Sequence, residues 1–87
     1  MTEEQTLTIQ QAIDLAAQHH KAGDLSKAES IYNQILQAEP NQPVALHLLG
    51  LIAHQLGKNE VSVNLITKAI TIKPDFDEAW FTLGLVL

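Results

Sequence analysis

Residues 43–57 read PVALHLLGLIAHQLG, and residues 77–87, which begin 34 positions further along the chain, read DEAWFTLGLVL. Both stretches place apolar or small residues at intervals of three and four, the spacing that brings side chains onto one face of an α-helix. The residues of this shared face are Leu46, Leu49, Gly50 and Ala53 in the first stretch and Trp80, Leu83, Gly84 and Leu87 in the second. The two stretches therefore predict one helix repeated with a period of 34 residues.

The same shift brings the helix-breaking residues into register. Gly23 falls on Gly57, and Pro40 falls on Pro74. Glycine ends a helix readily because it adopts the left-handed conformation without strain, and proline stops a helix because it lacks the backbone N–H. Each repeat is therefore predicted to hold two helices, the first ended by glycine and the second by proline. The predicted helices are 9–21, 25–38, 43–55, 59–72 and 76–87, with residues 1–6 frayed.

Residues suited to helix starts precede these segments. The sequence predicts a capping box at the start of the first helix and another at the start of the last. It also predicts an aspartate N-cap for the second helix and a proline in the first turn of the third. These residues are Thr8 with Gln11, Asp75 with Glu78, Asp24, and Pro43.

The landmarks together resemble the tetratricopeptide repeat, a helix-turn-helix unit with the pattern Trp-x2-Leu-Gly-x2-Tyr followed by Ala-x3-Phe and Pro. The matches are Trp80-x2-Leu83-Gly84, Ala28-x3-Tyr32 and Pro40, with looser copies at Leu46-x2-Leu49-Gly50 and Pro74. The departures are His19, Ala53 and Leu87, where the family often has tyrosine, and Ser62, where it has alanine.

The resemblance implies an all-α fold, a right-handed α-solenoid of about two and a half repeats and five helices. Residues 1–87 are expected to form one domain and to be a piece of a longer protein. Small residues on the shared face, Gly50 and Gly84 among them, are expected where neighbouring helices approach closely. The repeats are expected at 9–42 and 43–76, with a partial repeat at 77–87.

Composition excludes several classes of function. The chain carries ten acidic residues against five scattered lysines and no arginine, a formal charge of −5, whereas nucleic-acid binders show a basic stripe. The absence of cysteine removes disulfides and thiolate zinc sites. The first residues are polar and acidic, unlike a signal peptide, and no apolar run is long enough to span a bilayer. A cytoplasmic protein that binds neither nucleic acid nor membrane is expected.

The resemblance implies that the first helix of each repeat lines a concave groove, the usual binding surface of the family. A second stripe on these helices, turned away from the packing face, is largely apolar, as interaction surfaces are. It predicts a groove for a protein or peptide ligand, such as an amphipathic helix or an extended segment. The alternative is that neighbouring repeats of a longer protein cover these side chains. The candidate groove residues are Ile13, Ala17, His20, Val44, His47, Leu51, His54, Phe81 and Leu85.

More specialised sites find no support in the sequence. No third or fourth ligand accompanies the histidines, so no metal is expected. No nucleophile elbow or glycine-rich phosphate loop occurs, so neither an enzyme active site nor a cofactor is expected. The carboxylate clamp that chaperone-binding relatives share is absent, since Ile13, Ala17, Leu51, Phe81 and Leu85 stand at its positions. The asparagine ladder of the O-linked N-acetylglucosamine transferase groove is absent too, since Asp14, Leu48 and Thr82 stand there.

Two other functions remain open at this point. The phrase ALHLLGLIAHQLGK, followed by LITKAI, is similar to arrays attached to bacterial glycosyltransferase or methyltransferase domains, which implies a substrate-recruiting arm of a larger transferase. The last helix is expected to pack Trp80, Leu83 and Leu87 on the second repeat and to leave its other apolar side chains uncovered. The first helix is expected to leave some apolar residues partly uncovered as well, so copies could associate end to end into oligomers or filaments. The uncovered residues are predicted to be Phe81, Leu85 and Val86 in the last helix and Ile9, Ile13 and Ala17 in the first.

Overall fold

The computed structural model describes residues 7–87, so the predicted fraying of residues 1–6 lies outside the described part of the chain. Residues 7–87 form five helices and no strand, and 79% of them are helical. The helices are α1 (Ile9–Lys21), α2 (Leu25–Ala38), α3 (Pro43–Gln55), α4 (Asn59–Ile72) and α5 (Asp77–Val86). The all-α prediction is confirmed. The first four helices begin and end at the predicted residues.

The turns and most of the caps form as the sequence predicts. Gly23 and Gly57 have φ angles of +86° and +81°, the left-handed conformation that favours glycine. At α1, the backbone N–H of Gln11 donates to the Thr8 hydroxyl, and the Gln11 side chain accepts from the Thr8 N–H. Asp24 accepts from the backbone N–H of Lys27 at the start of α2. These bonds satisfy donors that a helix start otherwise leaves free.

The capping box predicted at Asp75 and Glu78 is wrong. The N-cap of α5 is Phe76, which makes no side-chain capping bond, and the helix begins at Asp77. Phe76 is buried in a core cluster with Leu46. Its aromatic ring therefore fixes where the chain enters α5, and the helix starts one residue later than predicted.

Helix α3 lies at the centre of the packing, with α2 on one side and α4 on the other. One core cluster joins α1, α2 and α3, and a second joins α3, α4 and α5. At Gly50 the approach of α4 is so close that an added Cβ would lie 2.7 Å from Cγ1 of Ile66. The close approach predicted at Gly50 is confirmed, but the one predicted at Gly84 is not, because a Cβ there would meet nothing within 4 Å.

The outer side of α5 is more exposed than the sequence predicts. Leu83 packs against the second core cluster. Trp80 is 52% exposed and donates its indole N–H to the carbonyl of Pro74 over 2.7 Å, and Leu87 is 84% exposed. Trp80 therefore contacts the second repeat through Pro74, although half of its surface stays exposed. The prediction that Leu87 packs there is wrong, because its side chain is almost fully exposed.

None of the helices between residues 7 and 87 has both the length and the apolar character needed to cross a membrane.

Candidate interaction surface

A concave depression of about 490 Å³ lies between α3 and α5, at one edge of the central helix. Helix α4 packs against α3, and α5 packs against α4 and also contacts α3. The first turns of α5 therefore face the middle of α3. Its lining combines apolar, aromatic, polar and acidic side chains: His47, Leu48, Asp77, Glu78, Phe81 and Thr82. The depression, together with the neighbouring side chains Leu51 and Leu85, is called the α3–α5 surface below.

His47 forms the floor of the α3–α5 surface and is only 6% exposed. The Thr82 hydroxyl donates to the carbonyl of Glu78 at 3.0 Å, so its oxygen must accept the hydrogen bond from Nε2–H of His47, 2.8 Å away. The imidazole also packs edge-on against the Phe76 ring, with centroids 5.1 Å apart. These contacts fix the ring and join α3 to α5.

The charge state of His47 follows from the same surroundings. Burial lowers the pKa of His47 below its usual value, and the nearby Glu78 carboxylate opposes this in part. The floor of the surface is therefore uncharged at neutral pH, while its hydrogen bond to Thr82 holds α5 against α3.

The walls of the α3–α5 surface are apolar and open to solvent. Phe81 is 69% exposed, an unusual position for an aromatic ring. Leu85 is also exposed and lies one turn further along α5, so it extends the apolar face of Phe81. Leu48 lines the depression, and Leu51 follows it by three residues on α3, the spacing of one helix face; both are half-buried. The result is an apolar strip on two facing helices above a rigid floor.

Two carboxylates border this strip. Asp77 and Glu78 are exposed in the first turn of α5, and both line the depression. They precede Phe81 by four and three residues, the spacing that places side chains on the same face of a helix. Acidic groups therefore stand beside the exposed aromatic ring.

The predicted groove residues do not all reach this surface. Ile13 was predicted to line the groove and to be partly uncovered, but it is 5% exposed and belongs to the core cluster that contains Ala45 of α3. That prediction is wrong because α3 covers the side of α1 that carries Ile13. Ala17 and Val44 are half-buried, and Val44 packs against both core clusters. His47, Leu51, Phe81 and Leu85 form part of the α3–α5 surface.

The remaining two histidines of the predicted groove form hydrogen bonds with side-chain amides. Nε2 of His20 lies 2.7 Å from Oε1 of Gln55 and links α1 to the last turn of α3. Nδ1 of His54 lies 3.0 Å from Oδ1 of Asn59 and links α3 to α4. Within residues 7–87 no group of three or more His, Cys, Asp or Glu side chains is placed to hold a metal ion.

Four residues of the surface were not among the predicted groove residues. From the sequence alone, Leu48 and Thr82 are assigned only to positions of an absent asparagine ladder, Glu78 is assigned to a capping box, and Asp77 has no predicted part in binding. For Leu48 and Thr82 the repeat itself is a signal, because they occupy equivalent positions 34 residues apart. Both line the depression between α3 and α5.

A second depression, of about 420 Å³, lies on the α1–α2 pair, away from the α3–α5 surface. Its lining contains no charged and no aromatic side chain and consists of Leu7, Thr8, Ile9, Ala12, Leu15, Ile31, Gln34, Ile35 and Ala38. The α3–α5 surface differs from it in combining an exposed aromatic ring with carboxylates.

Comparison with known proteins agrees with paired helices stacked at a 34-residue period. Two tetratricopeptide-repeat family profiles match the chain, one over residues 10–52 and the other over residues 43–76. The chain belongs to the tetratricopeptide-repeat family.

Two relatives indicate the settings in which such repeats occur. The chain is 31% identical over 65 residues to human tetratricopeptide repeat protein 7A; the match covers 75% of this chain and 8% of the human protein. All of the chain superimposes on part of a Thermobaculum terrenum O-GlcNAc transferase mutant, K341M, with a TM-score of 0.90 and 30% identity. The chain spans 17% of that transferase, so the likeness concerns its repeats.

Proposed function

We propose that this chain is a non-catalytic protein-interaction module that binds a peptide or helix of a partner protein on the α3–α5 surface. The observation that carries the proposal is Phe81, which is 69% exposed on the wall of a preformed depression. Tetratricopeptide repeats are protein-interaction modules in general, and the proposal assigns that role to one face of this chain. The repeat units are taken as residues 9–42, 43–76 and 77–87.

The physical basis is the cost of leaving apolar side chains in water. Contiguous exposed apolar side chains rimmed by polar groups mark interaction sites, and aromatic anchors that become desolvated carry much of the binding free energy. Phe81, Leu85 and Leu51 offer such anchors on two facing helices. An amphipathic helix or an extended segment can lay its apolar side chains between these helices.

The experiment begins with a selection of short peptides from a random library displayed on phage, using the chain as the target. Affinities of the selected peptides are then measured by fluorescence anisotropy for the wild type, Phe81→Glu and Val61→Glu. Val61 is the matched control because it is an exposed apolar residue on α4, outside the α3–α5 surface. We expect Phe81→Glu to weaken binding at least about tenfold and Val61→Glu to leave it unchanged. Equal affinity for the wild type and Phe81→Glu would refute the proposal.

Self-association is a second candidate, favoured by the exposed outer face of α5. Trp80 and Leu87 expose much of their apolar surface there. The outer face of α1, by contrast, exposes Gln11, Asp14 and Gln18 around one large apolar side chain, Leu15, so it is less suited to the apolar face of a second copy. We therefore expect closed dimers through α5 in place of head-to-tail filaments. Sedimentation velocity across a hundredfold concentration range, roughly the span over which such a weak dimer dissociates, tests this, and a monomer at every concentration would exclude it.

A third candidate is the recruitment of substrates to a transferase within a longer protein. The observation in its favour is the superposition on the repeats of the Thermobaculum terrenum enzyme at a TM-score of 0.90. Binding on the α3–α5 surface would serve that purpose too. The peptide selection therefore tests the surface that both functions would use.

A further inference from the structure

We propose that the segment bound on the α3–α5 surface carries a lysine or arginine next to its apolar anchor residue. The inference rests on the proposed function and specifies the chemistry of the partner. It follows from the charges beside Phe81, with which no cation of residues 7–87 forms an ion pair.

Within the described residues, no cationic side chain lies within 4.0 Å of the Asp77 or Glu78 carboxylate. Within residues 7–87 the one ion pair with a separation of 4.0 Å or less joins Lys27 to Asp24, at the start of α2. None of the five lysines lines the α3–α5 depression. Lys73 comes near in sequence, but its Nζ lies over the Phe76 ring, 5.1 Å from the centroid. The rim of the surface therefore presents two negative charges without a cation of its own.

The floor beneath the rim adds no positive charge. His47 is buried, and its Nε2–H is bonded to the Thr82 hydroxyl. Burial lowers the pKa of this imidazole, so its neutral form prevails at neutral pH. A ligand therefore meets an apolar wall, a neutral floor and an anionic rim.

The two rim carboxylates also have a structural role. Acidic residues in the first turn of a helix stabilise it through the macrodipole, and Asp77 and Glu78 do so for α5. Their position relative to Phe81 goes beyond that role. A cation placed over the Phe81 ring would gain from the aromatic face and would lie within reach of carboxylates one turn before it.

Two other depressions on the described residues lack this combination. The α1–α2 depression has no charged lining residue. A third, of about 360 Å³ on α4, has one acidic residue, Glu60, beside Val63 and two asparagines, and no aromatic ring. The α3–α5 surface combines apolar contacts, an exposed aromatic face and two neighbouring negative charges. It therefore complements a segment that is both basic and apolar.

The test uses the same random library of short displayed peptides on the full chain. We expect the selected peptides to be enriched in lysine or arginine beside a large apolar residue. Their affinity is expected to fall roughly threefold to tenfold in Asp77→Asn/Glu78→Gln, the range for the loss of two exposed ion pairs. Their affinity for the wild type is also expected to fall as salt is added. Replacing the basic residue of a selected peptide with glutamine should weaken binding to the wild type by a similar factor and leave binding to the double variant nearly unchanged.

The control variant is Glu39→Gln/Glu60→Gln, which changes the net charge equally at exposed positions outside the α3–α5 surface. Circular dichroism of both double variants checks that the helices remain folded. The control is expected to bind the basic peptides as the wild type does. Equal losses in both double variants would overturn the inference, because they would show a response to net charge and not to the rim.

The outcomes separate this inference from the proposed function. Two results would overturn the inference but not the proposed function. In the first, the selected peptides need Phe81 but carry no basic residue; in the second, their affinity is unchanged in Asp77→Asn/Glu78→Gln. A library that enriches no peptide on the wild type above the Phe81→Glu variant would overturn both.

Discussion

The contrast between two glycines at the same place in the repeat gives the sharpest test of the packing. In Gly50→Ala the new methyl group would lie 2.7 Å from Cγ1 of Ile66 and 3.3 Å from the carbonyl oxygen of Ser62. Ile66 is fully buried, so it has little room to retreat. In Gly84→Ala the methyl group would meet nothing within 4 Å.

The expected magnitudes follow from two opposing effects. Alanine stabilises a helix by about 1 kcal/mol relative to glycine, and this gain is similar at the two positions, though smaller near the end of α5. Inserting a methylene into a filled site costs about 1–3 kcal/mol, and this cost applies only at Gly50. The helix gain largely cancels in the comparison, so Gly50→Ala should be about 1–3 kcal/mol less stable than Gly84→Ala.

Urea denaturation followed by circular dichroism measures the difference. We expect Gly84→Ala to be as stable as the wild type or more stable, and Gly50→Ala to be less stable than the wild type. Two variants of equal stability would contradict this packing, because they would show that α4 does not approach α3 closely at Gly50.

Three further predictions concern other buried groups and are checked by the same denaturation measurement. Leu49→Ala should lower the free energy of unfolding by roughly 2–5 kcal/mol because Leu49 is buried in the first core cluster, while the exposed control Ser30→Ala should change it by less than about 0.5 kcal/mol; similar effects would contradict the assigned faces. Ser62→Ala and Tyr32→Phe should be neutral or stabilising by up to about 1 kcal/mol, since both hydroxyls are buried without a hydrogen-bond partner among residues 7–87; a loss in either variant would reveal a partner. Because burial lowers the pKa of His47 in the folded chain, the unfolded chain takes up the proton first. Stability should therefore fall as the pH drops through about 6.5, and less so in His47→Gln; an equal pH dependence in that variant would exclude His47 as the cause.

Most of the fold can be predicted from the sequence because the repeat specifies it more than once. Gly23 and Gly57 both end a first helix, and Pro40 and Pro74 both follow a second one. Local chemistry alone therefore sets nearly every helix boundary. The exception is the start of α5, where tertiary packing of Phe76 replaces the predicted side-chain cap.

The candidate site is harder to predict, because exposure depends on which helix covers a given position. Ile13, His47 and Phe81 occupy one position of the repeat at intervals of 34 residues, yet they are 5%, 6% and 69% exposed. Ile13 packs in a cluster with α3, and His47 packs against α5. Phe81 lies on the last of the described helices. Helical periodicity assigns all three to one stripe, but only the packing of the next helix decides which of them a ligand can reach.

The most direct test of the central claim is to map where a selected peptide contacts the chain, by chemical-shift changes of isotope-labelled amides in solution. We expect the largest changes at Leu48, Leu51, Phe81 and Leu85, on α3 and α5. Changes concentrated around Leu15 in the α1–α2 depression, with α5 unaffected, would contradict it.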